Sequence, residues 1–548
     1  MHHKLSTRFL SIIVFIFITS FRSVLAQYQV EPNKYYQASK YISLYFASSE
    51  KYDTELKAYY QHRYFEPSWL KTNGRLNGNA IELINYLQQH EYAEVLLKPS
   101  FIELIENYHK RIETKDNLLY STLGTLDISL SNMFLQVARI NLYGLINPED
   151  LEKDTWHLSK RDTNLLAIME KTAFTGKIST NLDNLLPKNT QYHELKKHLA
   201  RYKFIKKHGG WPHIPEEILE VELGDTSNVV EILKERLIIS GDMDAIDFHG
   251  LVYDEAVENG VKHFQYRHGL NEDGVVGKNT LFNLNISIEE RIQQILLNIE
   301  KLKWLPENKD EKYLWVNIPS YKLKFFDRNK VIESQRVVVG SPKTPTPIFK
   351  SQISNVVFNP YWNVPYSIAK GEIAPKVSEN TAYLLEKNYE VLNGWQDSKV
   401  VDSTNQVDWS NPAVHSVYRI RQKPGPSNAL GVVKFNMPNK WSIYLHDTPS
   451  KNTFLRDKRA YSHGCIRLQQ PVQLAYKVLG ISNEAEKKEK IDEIIRKRST
   501  ETILISDRIP VNIIYYTAEI DEQGKLMLYE DVYGLDRKLN EKLVSILI

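Results

Sequence analysis

Cys465 is the single cysteine of the 548-residue chain, set in Ser462-His463-Gly464-Cys465-Ile466-Arg467-Leu468. Nineteen residues upstream of it, in Ile443-Tyr444-Leu445-His446-Asp447-Thr448-Pro449, stands His446, so one thiol has two candidate imidazoles, His446 and His463. A thiol attacks carbon as its thiolate, and a neighbouring imidazole is the usual acceptor of its proton. An arbitrary lone cysteine more often fills a gap in a core. Ser, His, Gly and Arg, however, make a poor core segment and suit a turn that holds a thiol among polar groups. These residue types point to covalent catalysis, with Cys465 as nucleophile. His446 is the better base, because the β-forming residues around it hold the ring rigidly. Glycine lets the chain approach closely, so the amides of Gly464 and Cys465 are expected to face a developing oxyanion. Ser462 and His463 shape that turn. Arg467 suits either a substrate carboxylate or a fold-stabilising ion pair. A zinc site built from His446, His463 and Cys465 competes poorly: the spacing is tight and no fourth ligand is evident. The expectation is therefore no metal and no cofactor.

The elements that must position this chemistry begin with a short apolar run. Lys4 and Arg8 precede residues 9–21, and Val24-Leu25-Ala26 resembles a small-residue cleavage site before Gln27. A run of 13 residues falls short of the roughly 20 that span a bilayer and fits a signal peptide over residues 1–26. An uncleaved anchor is the rival reading, and the only one that makes the membrane a partner. No cysteine follows the run to carry a lipid. The expected chain is exported, into a compartment where a free thiol is unusual. A net charge of +3 without long basic blocks gives no support to nucleic-acid binding.

Residues 27–215 read as a helical scaffold. Tyr192, Leu195, Leu199 and Tyr202 recur at helical spacing up to Gly209-Gly210-Trp211-Pro212, and Asp127-Ile128-Ser129-Leu130-Ser131 opens another periodic stretch that stops near Asn147-Pro148. These stripes are core, and no catalytic constellation accompanies them. In residues 225–287, Val230, Leu233 and Leu237 mark a helix before Gly241, and Asp273-Gly274 is a turn signal. Residues 313–505 change to strands, among them Leu314-Trp315-Val316, Val337-Val338-Val339 and Val432-Val433-Lys434-Phe435. A helical insertion over residues 366–430 interrupts two strands and caps one face. Residues 506–548 form a C-terminal β segment and tail. The fold class is thus multidomain α+β: a helical N-terminal scaffold, a small three-helix module, and a mostly antiparallel β domain with a capping insertion.

Two of these regions resemble known families. Ala256-Val257, Phe264-Gln265, His268-Gly269-Leu270, Asp273-Gly274-Val275-Val276-Gly277 and Thr280 are similar to the marker positions of the small peptidoglycan-binding module of wall-acting enzymes. His446, a gap of 15 residues and Ser462-His463-Gly464-Cys465 resemble the signature of the L,D-transpeptidase catalytic domain. Val339-Gly340-Ser341-Pro342 with Thr346-Pro347, Asn359-Pro360 with Trp362-Asn363-Val364-Pro365, Pro424-Gly425-Pro426 with Asn428-Ala429-Leu430-Gly431, and the tail from Pro510 to Leu535 resemble the large Gram-negative subtype. The resemblance implies a periplasmic enzyme of the cell envelope, acylated by carbapenems at its cysteine. Cys465 would attack a tetrapeptide stem of peptidoglycan with loss of D-alanine, and a neighbouring stem would accept the acyl group as a 3→3 cross-link. It also implies that the Asp447 carbonyl orients His446 and that Trp362 and Asn363 help bind substrate. Water as acceptor would make the same residues an L,D-carboxypeptidase. A non-catalytic wall-binding protein is the remaining alternative.

Overall fold

The computed structural model describes residues 34–48, 54–114, 119–148, 156–158, 161, 163–245, 250–305, 310–380, 382–394, 399–401, 407–409, 411 and 414–547. The expected leader, residues 1–26, lies outside them. No described helix is long and apolar enough to cross a membrane. The chain divides into two compact units, one of residues 1–145, 161–187 and 543–548, the other of residues 146–160 and 188–542.

The first unit is helical, built around Leu119–Tyr143, which is apolar nearly all round and buried along most of its length. Asp127 does not open this helix, as its sequence context suggests, but sits buried within it. Its carboxylate accepts from the Tyr60 hydroxyl at 2.6 Å and from the amides of Ser68 and Trp69 at 2.9 and 2.8 Å. Burial raises its pKa to about 6 against the pull of those donors. The helix starts earlier than expected because a short polar side chain that usually caps can equally be an interior acceptor.

The first compact unit reaches residue 187 here, short of the scaffold boundary expected at residue 215. Helix Thr190–Lys207, which carries the Tyr192/Leu195/Leu199/Tyr202 stripe as expected, belongs to the second unit. There it packs along helix Ile288–Trp304. Three further helices, Asn228–Ser240, Glu255–Arg267 and Lys278–Leu284, form the small module. Ser227 and Asp254 cap the first two by side-chain acceptance, and Gly241 ends the first in the left-handed conformation. Gln265 ties the module's loop: its amide donates to Asp273, Val275 and Thr280 and accepts from Gly274.

The rest of the second unit is built on three sheets, the largest of them closed. Its strands, in chain order, are β1 Trp156–His157, β2 Lys312–Asn317, β3 Lys322–Asp327, β4 Lys330–Gly340, β5 Ile348–Phe358, β6 Trp362–Asn363, β7 Tyr389–Asn393, β8 Lys399–Val400, β9 Tyr418–Gln422, β10 Val433–Asn436, β11 Leu445–His446, β12 Ala460–Ser462, β13 Ile466–Leu468, β14 Glu501–Ile514, β15 Ala518–Ile520 and β16 Leu526–Leu528. The order β5-β10-β11-β13-β4-β3-β2-β14 returns to β5, because β14 pairs with both β2 and β5. Closure leaves the ring without a free edge. The pairings are mostly antiparallel, with β11–β13 and β14–β2 parallel. Alternation sends Val433, Phe435, Leu445, Ile466 and Leu468 into the interior.

Two details differ from the expected layout. β14 runs unbroken across the boundary drawn at residue 505, since its ladder to β5 continues past a bulge. The insertion is not helical throughout: short helices between Tyr366 and Glu386 stand beside a sheet of order β6-β9-β7-β8. That sheet and those helices share a core of their own, including Ile373, Val377, Leu384, Val391 and Ile420.

Candidate active site

β11 and β13 are neighbours in parallel register, Leu445 opposite Ile466 and His446 opposite Arg467. The register extends one step back, where the Ile466 amide donates to the Tyr444 carbonyl at 3.1 Å. Cross-strand partners project to one face and alternate along the strand. Tyr444, His446, Cys465 and Arg467 therefore share the outer face of the barrel. Two segments far apart in sequence meet because two short strands pair.

His446 is buried, and its Nδ1–H donates to the Asp447 carbonyl at 2.5 Å. This fixes the tautomer and leaves Nε2 with its lone pair. Burial, then Arg467 and Lys434, lowers the imidazole pKa to about 3. The ring is neutral at rest. The Asp447 side chain is a brace rather than a partner of the ring. Its oxygens accept from the Val432 amide at 2.9 Å, the Thr448 amide at 2.7 Å and Lys451 Nζ at 2.5 Å. It also fills the space a side chain at Gly431 would need, where a Cβ would come within 2.2 Å of Asp447 Oδ2.

Cys465 is half-buried. The backbone amide and hydroxyl of Tyr444 both lean on its sulfur, and Lys434 and Arg467 attract its anion. Burial nevertheless outweighs them and pushes the thiol pKa up. The resting pair is thus thiol and neutral imidazole. Trp362 hydrogen-bonds the Tyr444 hydroxyl and so reaches this face. Asn363, next along β6, is exposed, and strand alternation turns it the other way.

The turn before the nucleophile is held from several sides. Gly464 has φ +108, and a Cβ there would lie 3.0 Å from Ile443. Its amide donates to Ser462 Oγ at 3.1 Å, while that hydroxyl donates to the Cys465 carbonyl at 2.6 Å. The Gly464 amide is therefore committed, contrary to its expected place facing an oxyanion. Among the described residues the Cys465 amide has no hydrogen-bond acceptor. Thr346 Oγ1 donates to the Gly464 carbonyl at 2.7 Å and Thr344 Oγ1 to the Ser462 carbonyl at 3.0 Å, so the Gly340–Pro347 loop braces the turn. His463 points outward, its Nε2 at 2.7 Å from Glu372 of the insertion, both about half exposed.

Sequence reasoning does not single out Tyr444 or Lys434. Lys434 pairs in register with His446 from β10, and its Nζ stands 4.2 Å from the centroid of the Tyr444 ring. The alternation Val433-Lys434-Phe435 is the available signal, since it turns Lys434 away from the core. Arg467 stood between a carboxylate ligand and an ion pair; no carboxylate is among the groups that shift it. Among the described residues, no three His, Cys, Asp or Glu side chains gather as a metal set.

Three stretches of the chain are similar to known families. Residues 311–503 match the L,D-transpeptidase catalytic domain, residues 54–199 a scaffold domain, and residues 226–282 the "Putative peptidoglycan binding domain". A curated relative, "Putative L,D-transpeptidase" of Haemophilus influenzae, is 38% identical over 248 residues, or 45% of this chain and 49% of the relative. The chain thus matches about half the length of that relative. Among solved structures, an L,D-transpeptidase from Stackebrandtia nassauensis is 15% identical with a TM-score of 0.23, covering 54% of this chain and 95% of the other. The L,D-transpeptidase from Mycobacterium smegmatis is 11% identical with a TM-score of 0.18, covering 37% and 58%.

Proposed function

We propose that this chain, which carries an L,D-transpeptidase catalytic domain and a peptidoglycan-binding domain, forms 3→3 cross-links in peptidoglycan through an acyl-enzyme on Cys465. The observation that carries the reading is the shared sheet face of Cys465 and His446, with Nδ1–H engaged by the Asp447 carbonyl and Nε2 left as base.

In the first half-reaction, His446 Nε2 takes the Sγ proton as sulfur attacks the carbonyl of the third stem residue. The Cys465 amide faces the oxyanion, and the Tyr444 hydroxyl steadies the sulfur. The C–N bond to D-alanine then breaks, the leaving amine takes the proton from His446, and a thioester remains. In the second half, the side-chain amine of a neighbouring stem attacks the thioester and passes its proton to His446. Collapse expels the thiolate, which recovers that proton. Ser462, His463 and Gly464 hold the turn, and Trp362 reaches the substrate through Tyr444. Asn363 follows Trp362 on the same strand, β6, and faces the other way. Stems and sacculus place the work in the cell envelope.

Purified protein incubated with tetrapeptide muropeptides should give 3→3 dimers and free D-alanine by mass spectrometry. Trimmed tripeptides alone would instead assign the L,D-carboxypeptidase reaction. Neither product, with sacculi still bound, would leave a wall-binding protein.

A further inference from the structure

Lys434, His446 and Arg467 form one row across β10, β11 and β13, each in register with the next. Side chains in such a row project to the same face, so a cation flanks the buried imidazole on each neighbouring strand. Both cations are partly buried. Among the described residues neither has an acidic partner; the charged group that pulls on each is the Cys465 sulfur. The nearby carboxylates are occupied: Asp447 by Val432, Thr448 and Lys451, and Glu372 by His463.

Two desolvated cations without a counterion are costly to hold. A fold has little reason to place them side by side unless an anion arrives from outside. They also act on both reacting groups, because each disfavours a positive imidazole and favours the thiolate.

We propose that Lys434 and Arg467 form a carboxylate cradle beside Cys465. Its natural occupant rests on the reaction proposed above, since a tetrapeptide stem ends in the carboxylate of D-alanine. The cradle then draws an anionic substrate to the nucleophile.

The test uses small reagents on the full-length protein, apart from any wall chemistry. Iodoacetate and iodoacetamide alkylate a thiol by the same displacement: an S–C bond forms, iodide leaves, and the thiol proton is lost. They differ in one carboxylate. The rate ratio of iodoacetate to iodoacetamide at Cys465, divided by the same ratio for N-acetylcysteine amide, should be about tenfold above unity at low salt. It should fall toward unity as ionic strength rises. Lys434→Gln and Arg467→Gln should each lower it several-fold, whereas Lys434→Arg should keep most of it. A normalised ratio near unity at low salt overturns the cradle, as does a ratio unmoved by both neutral variants. Should a variant fail to fold, the salt series on the unmodified chain decides between these outcomes. A preserved ratio with no turnover of stems would sink the proposed reaction and leave the cradle standing.

Discussion

Two polar clusters of the second unit, each holding a histidine and an arginine, are built on opposite rules. In the small module, Asp242 is fully enclosed and every lone pair is used: Ser240 Oγ donates at 2.6 Å, His263 Nδ1 at 2.9 Å, and Arg267 through Nε at 2.7 Å and Nη2 at 2.5 Å. Arg267 also donates to the Leu526 carbonyl at 3.1 Å, so the cluster fastens the module to β16. In the row Lys434–His446–Arg467 there is no carboxylate at all. The first cluster is closed and serves the fold. The second is open on one side, and its missing counter-charge belongs to a ligand. Polar residues of the same types are thus sorted by satisfaction, not by identity.

The largest test of this contrast is removal of the reacting groups. Cys465→Ser should abolish acyl-enzyme formation, and His446→Ala should slow turnover about 10²–10⁴-fold, with both proteins folded by circular dichroism. Unfolding of either variant would mean that the open cluster also supports the fold. Next comes Asp242→Ala, which strands a buried guanidinium and should cost roughly 3–5 kcal/mol in urea denaturation. An unchanged midpoint would erase the distinction between the clusters.

Acid sharpens the comparison further. His446 has its pKa lowered to about 3 by burial and the two cations. Because the folded value lies below the unfolded value of about 6.5, its contribution is complete above that pH and is lost as pH falls toward 3. The unmodified chain should therefore lose up to about 1.4 kcal/mol per pH unit more than His446→Gln across that window. Equal slopes would mean that the ring is not held neutral. The smallest effect is expected from Lys434→Gln and Arg467→Gln, whose stability should stay within about 1 kcal/mol of the parent. A larger loss would recast these cations as structural.

Much of this is legible in the chain. Cys465 and His446 announce themselves by residue type, and the helices over residues 190–207 and 228–240 by their apolar spacing. What stays hidden depends on register. Lys434 joins the site because β10 and β11, strands of four and two residues, pair at one offset; a slip of one residue would turn it inward. Tyr444 reads as an aromatic beside a strand, and nothing local says that its hydroxyl meets a sulfur. The commitment of the Gly464 amide to Ser462 is likewise invisible, since glycine signals conformational freedom and not which donor remains free. The sheet inside the insertion escapes detection because its strands are short and lie among helix-like segments, leaving little periodicity to read.

The closing strand carries one more consequence. β14 begins 36 residues after Cys465, yet it supplies the neighbour of both β2 and β5. Synthesis runs from the N-terminus, so Cys465 and His446 leave the ribosome before the strand that completes their ring. A nascent chain holds both reactive residues but not the framework that aligns them. Assembly of the candidate site is therefore deferred until the strand from Glu501 to Ile514 has been delivered, and its completion is timed by the topology of the chain.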